Sequence, residues 1–191
     1  AIVDRGLRHL PVLSVRDYNT FVRLTADGAV QWKDAVYAQV VYANTGEFAS
    51  TPVLYWEVGN EVNGPAYFNP LNVPTGGWEH FDVPEVAHIY AEAFLAPTVE
   101  AIRKASADLY GDPGKVKVVT AGIANIYHVD SLGWLAAVLE HEIEGTYAPT
   151  LAGKKVWEVV DLIGIHYAMS QSISDHARLS WRDVLDRLYA D

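Results

Sequence analysis

Four short apolar runs rich in β-branched residues, at 10–15, 53–59, 116–121 and 162–166, are each separated from the next by a longer stretch with helical spacing. This alternation is that of successive βαβ units, and it restricts the chain to a parallel sheet covered by helices. Between the first two runs, residues 33–48 put Ala35, Val36, Val40, Val41 and Ala43 in helix-like spacing, with Gly46 as a stop. The second run leads into a polar and aromatic loop over 63–81. Val83-Pro84-Glu85 and an Ala-rich helix to Tyr110 follow, ended by Gly111-Asp112-Pro113-Gly114. The third run passes through Asn125-Ile126-Tyr127-His128 into a helix over 131–141, for which Asp130 is the expected cap. A loop over 145–155, a helical turn at 156–160 and a last helix over 174–189 complete the pattern. No internal repeat, low-complexity tract or linker interrupts it, so residues 1–191 read as one domain or one piece of a domain.

Composition narrows the functions. With 50% hydrophobic and 20% charged residues the chain is ordinary globular material. Its net charge of −10, with no basic cluster longer than Lys154-Lys155, argues against a nucleic-acid partner or an anionic membrane surface. The absence of cysteine removes disulfides, thiol nucleophiles and Cys-based zinc sites, and leaves secreted and cytoplasmic locations equally open. No apolar run approaches the roughly 20 residues of a membrane span, and the start at Ala1 reads as a processed or trimmed end.

Strand and helix alternation permits an open doubly wound sheet or a closed barrel. A Rossmann-type nucleotide site would need a Gly-rich turn after an early strand, whereas Gly76-Gly77 lies in a loop and Gly111 to Gly114 follows a helix. The histidines show no His-x-x-x-His or His-Glu-x-x-His spacing, and there is no Gly-x-Ser-x-Gly elbow, so neither a zinc hydrolase nor a serine hydrolase is indicated. No metal or organic cofactor is implied.

The informative stretch is Trp56-Glu57-Val58-Gly59-Asn60-Glu61, where a strand ends in an Asn-Glu pair and runs into an irregular loop. Polar groups at the C-terminal end of a parallel strand face the ligand crevice in either architecture. The string resembles the fourth-strand Trp-Glu-x-x-Asn-Glu motif of clan A glycoside hydrolases, most closely the arabinofuranosidase, xylosidase and related retaining families. That resemblance implies Glu61 as general acid/base and Asn60 as ligand of the sugar 2-hydroxyl. Such chemistry needs one carboxylic acid to protonate the leaving oxygen and a second carboxylate as nucleophile. Glu57, four residues back, suits a structural role, hydrogen-bonded inside the fold.

A second element, Asp161-Leu162-Ile163-Gly164-Ile165-His166-Tyr167, is similar to the sixth-strand His-Tyr element of the same clan, where such a group contacts substrate and helps to orient the nucleophile. It also fits a satisfied edge of the core. Its spacing from Glu61, with one strand and two helices between, makes the two strands four and six, as the resemblance requires. On this count the chain is a partial (β/α)8 TIM barrel of about four βα units, short of the roughly 250 residues of a whole one. Strand five would direct Asn125, Tyr127 and His128 to the same mouth as a substrate wall, and strand three would direct Ser14 and Arg16 there, with His9 structural. Tyr67, Phe68 and Trp78 would form a sugar-stacking rim or pack the loop onto the fold. The nucleophilic Glu, on strand seven in this clan, is expected beyond Asp191; Glu140, Glu142, Glu144 and Glu158 are not placed to replace it. The expected ligand is a carbohydrate. A half-barrel would leave two unpaired sheet edges, which completion by missing segments or formation of a homodimer would relieve.

Overall fold

The computed structural model describes residues 10–14, 26–63, 68, 83–123 and 129–166, and the architecture within them is a small parallel sheet with helices packed on one face. Its strands, in the order β1-β2-β3, are β1 (Val12–Leu13), β2 (Tyr55–Asn60) and β3 (Lys117–Gly122). All pairing is parallel, with Val12 opposite Glu57 and Tyr55 opposite Lys117. The helices are α1 (Ala26–Tyr42), α2 (Val83–Ile89), α3 (Ala96–Tyr110), α4 (Val129–Leu139) and the single turn α5 (Val156–Val159), with a π-helical segment, Tyr90–Leu95, joining α2 to α3.

Strand alternation divides β2 cleanly. Trp56 and Val58 are buried with Val118 on the helix-covered face, together with Val36 and Val40 of α1 and Val99 and Ile102 of α3. Helix α1 is held against α3 by polar links at its margin: Trp32 Nε1 donates to Thr98 Oγ1 at 2.8 Å and Lys33 Nζ to Glu100 Oε2 at 2.8 Å. The helix begins earlier and ends earlier than its apolar spacing predicts, because Asn44 leaves the helical path. Its amide donates to the carbonyls of Val40 and Val53, closing the chain into β2. Gly46 instead opens a short 3-10 turn, Gly46–Phe48.

Helix α3 stops where the Gly-Asp-Pro-Gly signal places the stop, with Gly111 in the left-handed region at φ 70° and its N–H on the Ala107 carbonyl at 2.8 Å. Helix α4 starts at Val129, so Asp130 lies inside its first turn and is not the cap that the sequence suggests. The 145–155 loop contains a 3-10 turn, Pro149–Leu151, and is anchored by buried Glu92. That carboxylate accepts the N–H groups of Glu144, Gly145 and Thr146 at 2.9 to 3.1 Å, and His141 Nε2 lies 3.3 Å away. A buried charge so well supplied with donors is satisfied within the scaffold.

The fourth expected strand is reduced to two parallel bridges to β3, Val119 to Leu162 and Ile123 to Ile165. One more residue separates the bridge points on β3 than on the facing segment, a bulge that keeps this stretch from forming a regular ladder. Val15 and the predicted helix over 174–189 lie outside the described residues.

Candidate active site

At the C-terminal end of β2 the backbone departs from strand geometry twice. Gly59 adopts φ +94°, where a Cβ would stand 2.7 Å from Val62 Cγ1, and Glu61 adopts φ 47°, the only non-glycine residue in the left-handed region among those described. An L-residue there stores of order 1 kcal/mol or more, and such strain gathers where a side chain must be aimed. Three ties hold the turn in place. Glu61 N–H donates to the Gly122 carbonyl at 2.9 Å, Val62 is buried, and buried Asn63 donates to Ser131 Oγ of α4 at 3.1 Å.

The irregularity at Gly59 breaks the β2–β3 ladder, since Val58 pairs with Thr120 and Asn60 with Gly122 but Gly59 and Ala121 do not pair. Tyr90, at the start of the π segment, fills the gap. Its hydroxyl donates to the Val58 carbonyl at 2.7 Å and accepts the Ala121 N–H at 2.9 Å. Burial pushes the phenol far above its ordinary range, opposed by the Ala121 N–H, so the hydroxyl keeps the proton it donates.

The segment after α5 is placed by a charge cluster at its start. Arg103 donates to Asp161 at 2.7 Å and to the Val116 and Val159 carbonyls at 2.9 Å each, while the Asp161 carboxylate accepts the Val118 N–H at 2.8 Å and Lys117 at 3.2 Å. Residues 162–166 then run beside β3. Gly164 donates to Thr120 Oγ1 at 3.0 Å and passes so close to β3 that a Cβ would meet the Thr120 carbonyl oxygen at 2.4 Å.

The bulge and the missing side chain of Gly122 bring His166 across β3. A Cβ on Gly122 would lie 2.2 Å from the imidazole. The ring thereby reaches both carboxylates of the β2 motif, Nε2 standing 3.1 Å from Glu57 Oε1 and Nδ1 3.3 Å from Glu61 Oε1. Glu57 is buried and also accepts the Gly122 N–H at 2.7 Å, whereas Glu61 and His166 are half-exposed. Asn60, half-buried, ends β2 beside them. Glu57, Val119, Ile165 and His166 line a groove of about 420 Å³ on the face opposite the helices.

Of the residues singled out from sequence, Glu61, Asn60 and His166 are therefore neighbours, and Glu57 has the hydrogen-bonded, buried position expected of it. Phe68 belongs to the core, with its ring 5.8 Å from that of Tyr90, and is no part of a rim: an aromatic side chain in a polar loop found an apolar pocket to fill. Ser14 is exposed just past β1. Asn125, Tyr127, Tyr167 and Trp78, with His9, Arg16, Tyr67 and His128, lie outside the described residues. Sequence reasoning missed Tyr90, Thr120, Gly122 and Gly164. The glycines at the end of β3 and within the following segment were the available signal, since a glycine inside a strand marks a bulge or a close approach.

A larger groove, about 700 Å³, lies on the outer surface between α1 and α3. Of its charged groups, Lys33 pairs with Glu100 across the groove, and Lys104 and Arg103 pair with Asp108 and Asp161 outside it. Among the described residues no three acidic or imidazole side chains are grouped to hold a metal ion, and no helix is long and apolar enough to cross a membrane. No protein-family model, curated protein or solved structure matches the chain.

Proposed function

We propose that the chain is part of the catalytic barrel of a retaining glycoside hydrolase acting on oligo- or polysaccharides, with Glu61 as general acid/base and Asn60 as ligand of the sugar 2-hydroxyl. The observation that carries this reading is the 3.3 Å approach of His166 to Glu61. Two motifs far apart in sequence meet at the C-terminal ends of neighbouring parallel segments, where ligand sites of α/β folds form. In the reaction Glu61 would give its proton to the departing glycosidic oxygen and later take one from water, and a second carboxylate would form the glycosyl intermediate. The proposal assigns that nucleophile to a seventh strand following Asp191, so hydrolysis is a property of the protein as its source produces it. Glu61→Gln tests the assignment. On nitrophenyl arabinofuranosides and xylosides, the variant should lose about 10²- to 10⁴-fold activity with a poor leaving group and far less with a dinitrophenyl leaving group that departs without a proton. Equal losses on both would sink the assignment.

A second reading is favoured by one observation. Leu10, Val12, Tyr55 and Leu162 expose 40 to 49% of their surface, mostly along the sheet face away from the helices. A half-barrel that binds carbohydrate, or pairs with another chain over that face, would explain it. An intact mass near 21.1 kDa with a dimer in solution would favour this reading, and a substantially larger single chain would favour the first.

A further inference from the structure

The ring of His166 does not face Glu61 alone. We propose that Glu57 and His166 are a positioning pair for Glu61, the buried carboxylate facing Nε2 of the imidazole so that Nδ1 stands at Glu61 Oε1 and leaves Oε2 to the ligand; this rests on the reading of Glu61 as acid/base.

Four observations converge on it. Glu57 Oε1 accepts the Gly122 N–H at 2.7 Å, so this oxygen is an acceptor in a buried setting. His166 Nε2 faces the same oxygen at 3.1 Å, a contact that favours a proton on Nε2. For Glu61 to give a proton to the leaving group from Oε2, its Oε1 must accept from Nδ1–H at 3.3 Å, so the proton-donating state of the site has His166 facing both carboxyls with an N–H. The contact fixes where the Glu61 carboxyl sits. Finally, the backbone under the ring is fixed: the His166 N–H donates to the Ile123 carbonyl at 3.1 Å, and the ring lies in the space that the absent Gly122 side chain leaves. Glu57 and Glu61 are the titratable groups that the described elements direct at the ring. The arrangement follows the logic of a histidine oriented by a buried acid while its other nitrogen serves the reacting group.

The pair is tested on the whole protein with two readouts. In long-range proton–nitrogen spectra, with the His166 signals identified by their loss in His166→Gln, Nε2 is expected to carry a proton. A bare Nε2 in the wild type would overturn the pair without any variant being needed. In kinetics on a nitrophenyl glycoside, Glu57→Ala is expected to lower kcat about 10- to 100-fold with KM within about twofold, as for a misplaced catalytic group. Glu57→Gln, whose amide oxygen can still accept from Nε2, should recover most of the loss; a kcat for Glu57→Ala within twofold of wild type would overturn the proposal. If Glu57→Ala does not fold, Gly122→Ala displaces the ring with Glu57 intact and should give a similar fall in kcat, and an unchanged rate with unchanged His166 signals counts against the pair. Failure of the underlying reading looks different: a wild-type protein that hydrolyses no glycoside while Nε2 is protonated overturns the catalytic role and leaves the ring lock standing.

Discussion

Two residues of the β2 exit, on either side of Asn60, depart from ordinary backbone geometry in opposite circumstances. Gly59 sits at φ +94° with no side chain to strike Val62 and Ala121, whereas Glu61 sits at φ 47° although its side chain disfavours it. Gly59→Ala should therefore cost about 2–4 kcal/mol, strain and overlap together. Glu61→Gly should change stability by less than about 1 kcal/mol, relief of strain offsetting the added freedom of the unfolded chain, while abolishing any activity that needs the carboxyl. Chemical denaturation of the two variants checks the contrast; a Glu61→Gly loss as large as that of Gly59→Ala would show that the turn depends on the Glu61 side chain. Much of this was legible beforehand, since an Asn-Glu pair ending an apolar strand announces a polar strand exit. The left-handed backbone at Glu61 was not, because it arises from Gly122 and Ser131, which lie far along the chain.

Elements were legible in proportion to their local signals. The Gly-Asp-Pro-Gly stop and the apolar runs of β2 and β3 lie close to where the sequence puts them, because turn chemistry and alternation act within a few residues. The start of α1, the π segment and the broken ladder beside Gly164 depend on partners elsewhere in the fold. The segment that carries His166 has little regular strand pairing, so its placement leans on Asp161 at its head. Burial works to raise the pKa of that carboxyl, but the Val118 N–H, Arg103 and Lys117 outweigh it and hold the pKa below its ordinary value. A depressed carboxyl contributes stability above its unfolded pKa of about 3.9, and the contribution fades as pH falls through the lower folded value. Asp161→Asn is expected to cost about 1–3 kcal/mol near neutral pH. The gap between variant and wild type should narrow as pH drops below about 4, as unfolding midpoints across the acid range would reveal; a gap independent of pH would mean that packing and not charge holds the segment.

At the scale of the molecule, the helix-covered face of the sheet is a finished core and the other face is not. Leu162, 47% exposed beside the groove, is a local gauge of what lies over it. If water does, Leu162→Lys should shift stability by less than about 0.5 kcal/mol, as surface changes do. If the remaining strands of a barrel do, the same substitution buries an unpaired charge and should cost several kcal/mol. The glycosidase reading expects the larger cost in the protein as its source makes it. The sheet's connectivity also bears on how quickly this scaffold can assemble. Every described pairing within the parallel sheet joins positions more than forty residues apart, Val12 with Glu57, Tyr55 with Lys117 and Val119 with Leu162. Among the described residues no two strands of the sheet are joined by a tight turn, and refolding is expected to take milliseconds to seconds where a helical bundle of similar size would need far less. The Glu61 site, which joins residues 105 apart in the chain, would then be among the last parts of it to acquire its shape.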